Sequence, residues 1–508
     1  MTNWSSGYVT DVIYTLGYYQ ELSPALIRFC MLMQQLTPPA AENFTYCELG
    51  FGQGVSLNLH AASSPGSFVG TDFNPEQAAF AARLAGEAGS DLAVYDDSFA
   101  NFGKRDLPQF DYIALHGIWS WVSGENRRQV VDFVDKHLKR GGALFLSYNC
   151  YPGLAAIEPI RKLFMLHGRY MGEGHSTLER IKGAVEFTDQ LLQANPHFFS
   201  GHPSAVARFD SIKTSAPSYL AHEYYNANWD AMYFSDVVEE LAAVRLNFAG
   251  SAVPHENVKT LGMSDEAKDY LEKITDPFQY QQLRDFFVNR SFRRDIFTRG
   301  ALPLANTEYQ ARLLEQRFIL TCDPSLVTKS IKAGMGTVTF MEEIYQPVFS
   351  ALAEEAYSPK TLPELRERLK GQFDYSTLFA VCVNLMGKGV ILPCQSPAVV
   401  ERCRAASRAF NQAVCRLSRT HEDAAFLASP VTGTGIPVSR LELFILDAAY
   451  TGNEAIPHIR QILSDNNISA MKEGRAAENE AESVQFLELI LAEFREKREP
   501  SLKALGVA

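Results

Sequence analysis

The residues best placed to do chemistry are Glu48-Leu49-Gly50-Phe51-Gly52-Gln53-Gly54, a carboxylate two positions ahead of a Gly-x-Gly-x-Gly turn. They close the apolar run Phe44-Thr45-Tyr46-Cys47. Glycines at this spacing let the backbone come close to a ligand. Dinucleotide turns instead need Gly-x-Gly-x-x-Gly. Counted from Gly50, that third glycine would fall on Val55, and counted from Gly52, on Leu57. No Lys-Ser/Thr pair follows, which excludes a phosphate-cradling loop. A carboxylate beside the turn repels phosphates and suits a cationic ligand.

These residues need a frame, and the next hundred supply one. Short apolar runs end on polar residues: Ser67–Thr71 on Asp72, Leu92–Tyr95 on Asp96, Asp97 and Ser98, and Phe110–Leu115 on His116. Gly141-Gly142 precedes a fifth run, Ala143–Tyr148. Helices fall between them. Asn74-Pro75-Glu76 is a helix start, with proline early and an acid in the first turn. Residues 127–138 carry apolar Val130, Val131, Phe133, Val134 and Leu138. Such alternation predicts an α/β, Rossmann-like parallel sheet, whose ligands bind outside the carboxyl ends of the strands. Glu48, Asp72, Asp97 and His116 all sit at those ends. An acid ending the second strand suits ribose hydroxyls. S-adenosylmethionine combines that ribose with an ammonium and a sulfonium, which Glu48 fits.

The segment Glu48–Gly54 resembles the first motif of class I S-adenosylmethionine-dependent methyltransferases. That resemblance implies cofactor contacts at Glu48, Gly50, Gly52, Gly54, Asp72, Asp97, Ser98 and His116, the third strand end meeting the adenine amine. His222-Glu223-Tyr224 and the later Asn289-Arg290-x-Phe292-Arg293-x-Asp295 resemble the regulatory domain of bacterial methyltransferases. With Tyr8–Asp11 and Tyr148-Asn149, the chain is similar to bacterial protein-lysine methyltransferases that act on outer-membrane proteins in rickettsiae. The resemblance implies a protein substrate, of the surface or outer-membrane kind, methylated on lysine by in-line transfer. The place where amino-methylating relatives carry Asn/Asp-Pro-Pro-aromatic reads His116-Gly117-Ile118-Trp119. This argues against planar amines and leaves lysine, a hydroxyl or a small amine open. His116, Trp119 and Tyr148 are the candidate catalytic residues. Tyr14, Tyr18, Trp119, Asn149 and His222 are the candidates for the acceptor side. A small-molecule N- or O-methyltransferase and a non-catalytic cofactor-binding regulator are the alternatives.

The bulk numbers narrow the partners. Of 508 residues, 47 are basic and 59 acidic, a net charge of −12. That disfavours nucleic acid, which needs a basic footprint. The eight cysteines show no metal-ligand spacing, so no metal is expected, and free thiols fit a cytoplasmic protein. No secretory signal or membrane-length apolar run is read, so membrane insertion is not expected.

The expected organisation has five parts. An arm, 1–43, either packs on the core or lends its tyrosines to the acceptor pocket. The cofactor-binding core spans 44–153, and 154–300 is a helical insertion and regulatory region completing the sheet. A middle segment, 301–398, holds a winged-helix outline over 340–395. The last part, 399–508, is helical. The third helix of that outline, Tyr375–Met386, contains no Arg or Lys, which favours protein contact over DNA reading. That contact, and a helix over 476–499 lying on the surface or at a subunit contact, leave homodimerisation open.

Overall fold

The structure is a computed structural model that describes residues 7–9, 11–12, 16–172, 174–472 and 474–508. Its centre is a seven-stranded sheet of β1 (Phe44–Leu49), β2 (Gly66–Thr71), β3 (Ala93–Tyr95), β4 (Phe110–Leu115), β5 (Leu138–Asn149), β6 (Asn247–Ser251) and β7 (Phe292–Thr298). The order across it is β3-β2-β1-β4-β5-β7-β6. The first five strands are parallel, while β7 runs antiparallel between β5 and β6. Chain order reverses between β1 and β4, which opens a crevice at their carboxyl ends.

Both faces are covered, which is why the strands read as apolar runs and not as alternations. Tyr46, Tyr112, Ala114 and Phe145 pack under the helix Pro24–Met33 and beside Leu57, Ala78 and Ala81. On the other face Cys47, Leu49, Ile113, Leu115 and Leu144 meet Val130, Phe133 and Val134 of the helix Gly124–His137. Burying each large apolar side chain contributes about 1.5–3 kcal/mol. The helix Pro75–Ala88 starts where the sequence places it, with Asn74 accepting from the Glu76 N–H at 3.0 Å. Residues 158–213 form four helices that pack together around Phe164, Ile181 and Phe209.

The strand β7 carries charge into the core. Arg293, 3% exposed, donates to both oxygens of Asp285 at 2.7 Å and to Asp295 at 2.7 Å. Arg290 pairs with Glu256 at 2.8 Å and Asp285 at 3.0 Å, and Arg294 reaches Glu21 of the N-terminal segment at 2.6 Å. The Asn-Arg-x-Phe-Arg-x-Asp pattern is therefore a buried ionic network.

One expectation is corrected here. The winged-helix outline has its helices and its strand at Ile391–Pro393, but that strand pairs with β8 (Arg317–Leu320), as does Lys360–Thr361 on the other side. No hairpin follows the third helix in that sheet, so the wing is not formed. The helix Tyr375–Met386 is buried along Leu378, Val381, Cys382, Leu385 and Met386. The helix expected over 476–499 is observed as Glu480–Glu493 and continues through Phe494–Arg498 to Ala504, with Phe486, Leu487 and Leu491 buried within this chain and Leu489 exposed. Among the described residues, no helix is long and apolar enough to cross a membrane, and no group of three or more His, Cys, Asp or Glu could hold a metal.

Candidate active site

A cavity of about 520 Å³ opens at the carboxyl ends of β1, β2 and β4 and is lined by Glu48, Gly50, Gly52, Asp72, Ser98 and His116. The turn works because its glycines take left-handed backbone angles, with φ of 71° at Gly50 and 60° at Gly52. A Cβ on Gly50 would lie 2.3 Å from Ile118, whereas one on Gly52 would meet nothing within 4 Å. Gly52 thus leaves room for a ligand. Gly54 closes the turn and caps the helix Val55–Ser63. Asp72 braces the turn from β2: its carboxylate accepts from the Gly52 N–H at 2.9 Å and from the Asn74 N–H at 2.9 Å.

Both acids are nearly out of water, Glu48 at 3% and Asp72 at 5% exposure. Burial pushes the Glu48 carboxyl up to about 8, although the Tyr46 hydroxyl donates to it at 3.1 Å and pulls the other way. Burial likewise raises Asp72 to about 6 against its two backbone bonds. Buried carboxyls beside open space fit a ligand with an ammonium and hydroxyl donors, and Phe73 and Phe99 supply apolar walls. The residues present fit S-adenosylmethionine: Glu48 and the turn would take its amino-acid end, and Asp72 its ribose.

The pH dependence follows from those two shifts. Below about pH 6–8 the free protein holds protons on these carboxyls, whereas the cationic ligand favours their charged forms. Binding therefore releases protons, so affinity rises with pH through this window and levels off above it. Calorimetry in buffers of different ionisation enthalpy counts the protons. A count of zero near pH 7 would remove Glu48 from the ligand's reach, and a count of zero also below about pH 6 would remove Asp72.

His116 also lines the cavity. Tyr19 covers its ring at 3.7 Å between centroids, and Ser147 Oγ lies 3.2 Å from Nδ1. Burial, reinforced by Arg294, pushes its pKa down to about 3. Such an imidazole stays neutral near pH 7, so it suits positioning better than proton transfer. His222 reaches the lining from the helix Pro217–Tyr224, its Nε2–H donating to the Val12 carbonyl at 2.9 Å. Val9 N–H donates to Asn226 at 2.9 Å, so the arm docks on the end of this helix and the residues just after it. Asn149, at the end of β5, lines the cavity as well.

Other expected residues fall elsewhere. Trp119 is fully buried in the core under β4 and β5, so it is not a pocket aromatic. Tyr148 is fully buried too, its hydroxyl donating to Asp295 at 2.7 Å. Tyr18 turns away from the cavity: its hydroxyl accepts from the Gly435 N–H at 2.7 Å and meets His60 at 3.2 Å. Asp97 ends its strand as expected, but its carboxylate is drawn to Arg105 and lies off the cavity lining. Tyr14 lies outside the described residues.

The aromatics that do line the cavity include Tyr8, Tyr19, Trp121, Trp229 and Phe292. Phe73 and Phe99 each follow a residue the sequence already marks, which was their signal. Trp121 stands two residues after Trp119 on a turn, where neither period-2 nor period-3.6 spacing says which ring faces inward.

A parallel sheet with an antiparallel strand inserted before its edge, holding an acid-glycine turn beside a strand-end acid, defines a nucleoside-binding α/β enzyme. Residues 47–144 match the family described as a methyltransferase domain, and residues 216–299 match a predicted methyltransferase regulatory domain. The chain belongs to the class I S-adenosylmethionine-dependent methyltransferases, and S-adenosylmethionine is its cofactor. It is 38% identical to the uncharacterised protein sll1526 of Synechocystis, over 99% of this chain and 100% of that one. It is 27% identical to the uncharacterised protein RP028 of Rickettsia prowazekii, over 45% of this chain and 92% of that one. In fold it matches PKMT2 from Rickettsia typhi, solved in complex with AdoHcy, with a TM-score of 0.72 over 97% of this chain and 100% of that one, at 19% identity.

Proposed function

We propose that the enzyme methylates the side-chain amine of lysine in a protein substrate. The observation that carries this reading is a carboxyl, Glu223, set among Tyr8, Tyr19, Tyr219, Trp121 and Trp229 in the cavity beyond the glycine turn. A lysine arrives as an ammonium with a free pKa of about 10.4 and must lose its proton before its lone pair can attack. Burial pushes the Glu223 carboxyl up to about 7, with Arg208 pulling it down. Near neutral pH its carboxylate can take the ammonium proton. Aromatic faces hold the cation by cation–π attraction and exclude water. Tyr8, whose hydroxyl is affected by both Asp72 and Glu223, connects the cofactor end of the cavity to the acceptor end. The cofactor supplies an electrophilic methyl on its sulfonium. The resemblance to rickettsial protein-lysine methyltransferases supports the same reading, and it favours a surface or outer-membrane polypeptide as the acceptor.

The test is incubation with labelled cofactor and cell-envelope fractions, followed by mass spectrometry of the products. Label on lysine Nζ is expected. Label only on carboxylates, hydroxyls or small molecules would end the lysine reading and leave the methyltransferase assignment standing. Glu223→Gln adds a second check. The rate should fall about 10²-fold near neutral pH, and, with cofactor saturating at every pH, the decline in kcat expected for the parent below about pH 7 should be lost in the variant.

A further inference from the structure

A second cavity, of about 460 Å³, lies away from the cofactor turn, between the helix Pro24–Met33, the start of β1 and residues 312–317 and 393–399. Arg28, half-buried, lines it, and its guanidinium makes no hydrogen bond or ion pair among the described residues, with Nη1 fully buried. Burial, with Arg312 nearby, lowers its pKa, so the charge is held there at a cost. Ser64, 4% exposed, lines the same cavity, and its hydroxyl has no partner either. The other guanidiniums on the wall are already paired, Arg312 with Glu308 at 2.7 Å and Arg317 with Glu364 at 2.9 Å. The lining carboxylate, Glu315, is solvent-exposed. Ser396 and Pro397 bring the positive end of the 21-residue helix Pro397–Leu417 to the wall. The remaining lining includes Phe29, Leu32, Phe44 and Val399, which are apolar.

We propose that this cavity binds a small amphiphilic anion, a phosphate or carboxylate on an apolar body, with Arg28 as its counter-charge and Ser64 as a hydrogen-bond partner. A guanidinium Nη1 and a hydroxyl that are both buried without partners are costly unless a ligand satisfies them. The apolar walls exclude a bare, strongly hydrated ion as the best fit. The occupant would bridge the N-terminal helix and the helix at Pro397, so binding should raise the melting temperature of the full chain.

The probe is phenyl phosphate, titrated calorimetrically into the full chain presaturated with S-adenosylhomocysteine to block the first cavity. Inorganic phosphate and benzyl alcohol serve as the half-ligands. Saturable binding is expected for phenyl phosphate, weaker binding for inorganic phosphate and none for benzyl alcohol. Arg28→Met should weaken the probe at least about tenfold, while melting no lower than the parent without ligand. A structural arginine would instead lower the melting temperature. Should Arg28→Met fail to fold, Arg28→Lys and Ser64→Ala decide, each expected to weaken the probe severalfold. The proposal is overturned by absence of saturable binding to the parent up to about 10 mM, or by an unchanged probe affinity in these variants.

Discussion

An Asp285→Ala variant is expected to lose about 3–5 kcal/mol of folding stability, the typical effect of removing one partner from a buried ion pair. Asp285 is 1% exposed and serves two guanidiniums, Arg293 at 2.7 Å and Arg290 at 3.0 Å. Its loss leaves Arg293 with Asp295 alone, and Asp295 also accepts from the Tyr148 hydroxyl. The desolvation of Arg293 is then poorly offset. Urea unfolding followed by circular dichroism measures the effect as a lower midpoint at constant slope. Asp265→Ala, which breaks the surface pair with Lys268, should leave the midpoint in place. A loss below about 1 kcal/mol for Asp285→Ala would mean that water reaches the network and screens it.

The second large effect is on the cofactor. Asp72→Ala should weaken S-adenosylmethionine binding by about 1.5–3 kcal/mol, the worth of a hydrogen bond to a charged group. This is roughly 10–150-fold in affinity. Two causes act together. The variant loses the carboxylate that would meet the ribose, and it frees the Gly52 and Asn74 N–H groups that Asp72 now holds at 2.9 Å. Asp72→Asn separates the causes, because its amide oxygen can still brace one N–H while the charge is gone. Calorimetry giving parent affinity for the alanine variant would remove Asp72 from the site.

Sequence showed the cofactor half of the site well and the acceptor half poorly, for physical reasons. Gly50 and Gly52 announce themselves because few other residues tolerate their backbone angles, and Asp72 because a strand ending in an acid is a local pattern. The strand β7 was hidden. Its sequence, Phe-Arg-Arg-Asp-Ile-Phe-Thr, is too charged to read as a core strand, and only partners from Glu21, Glu256 and Asp285 make its burial tolerable. Trp119 and Tyr148 were misplaced because a large aromatic near a strand end serves a core or a pocket equally well. What decides is the tertiary neighbour: Asp295 for Tyr148 and the helix Gly124–His137 side of the sheet for Trp119. The missing wing was equally unreadable, since β8, which replaces it, lies more than 50 residues upstream of the third helix.

Tyr18 and Tyr19 are neighbours in sequence but face opposite ways, one fastened to Gly435 and the other lying on His116. The last hundred residues hold none of the proposed chemistry, yet they anchor a wall of the reaction chamber through this single peptide step. The protein is therefore not divisible into a catalytic unit and an appendage. Leu59 and Leu84 from the helices flanking the cofactor turn share one buried cluster with Leu427, Phe444 and Leu502 of the C-terminal region, so trimming it would strip the cofactor half as well as misplace the tyrosine. Relatives that differ in the C-terminal region would then differ in acceptor geometry without any change among the residues that touch the acceptor.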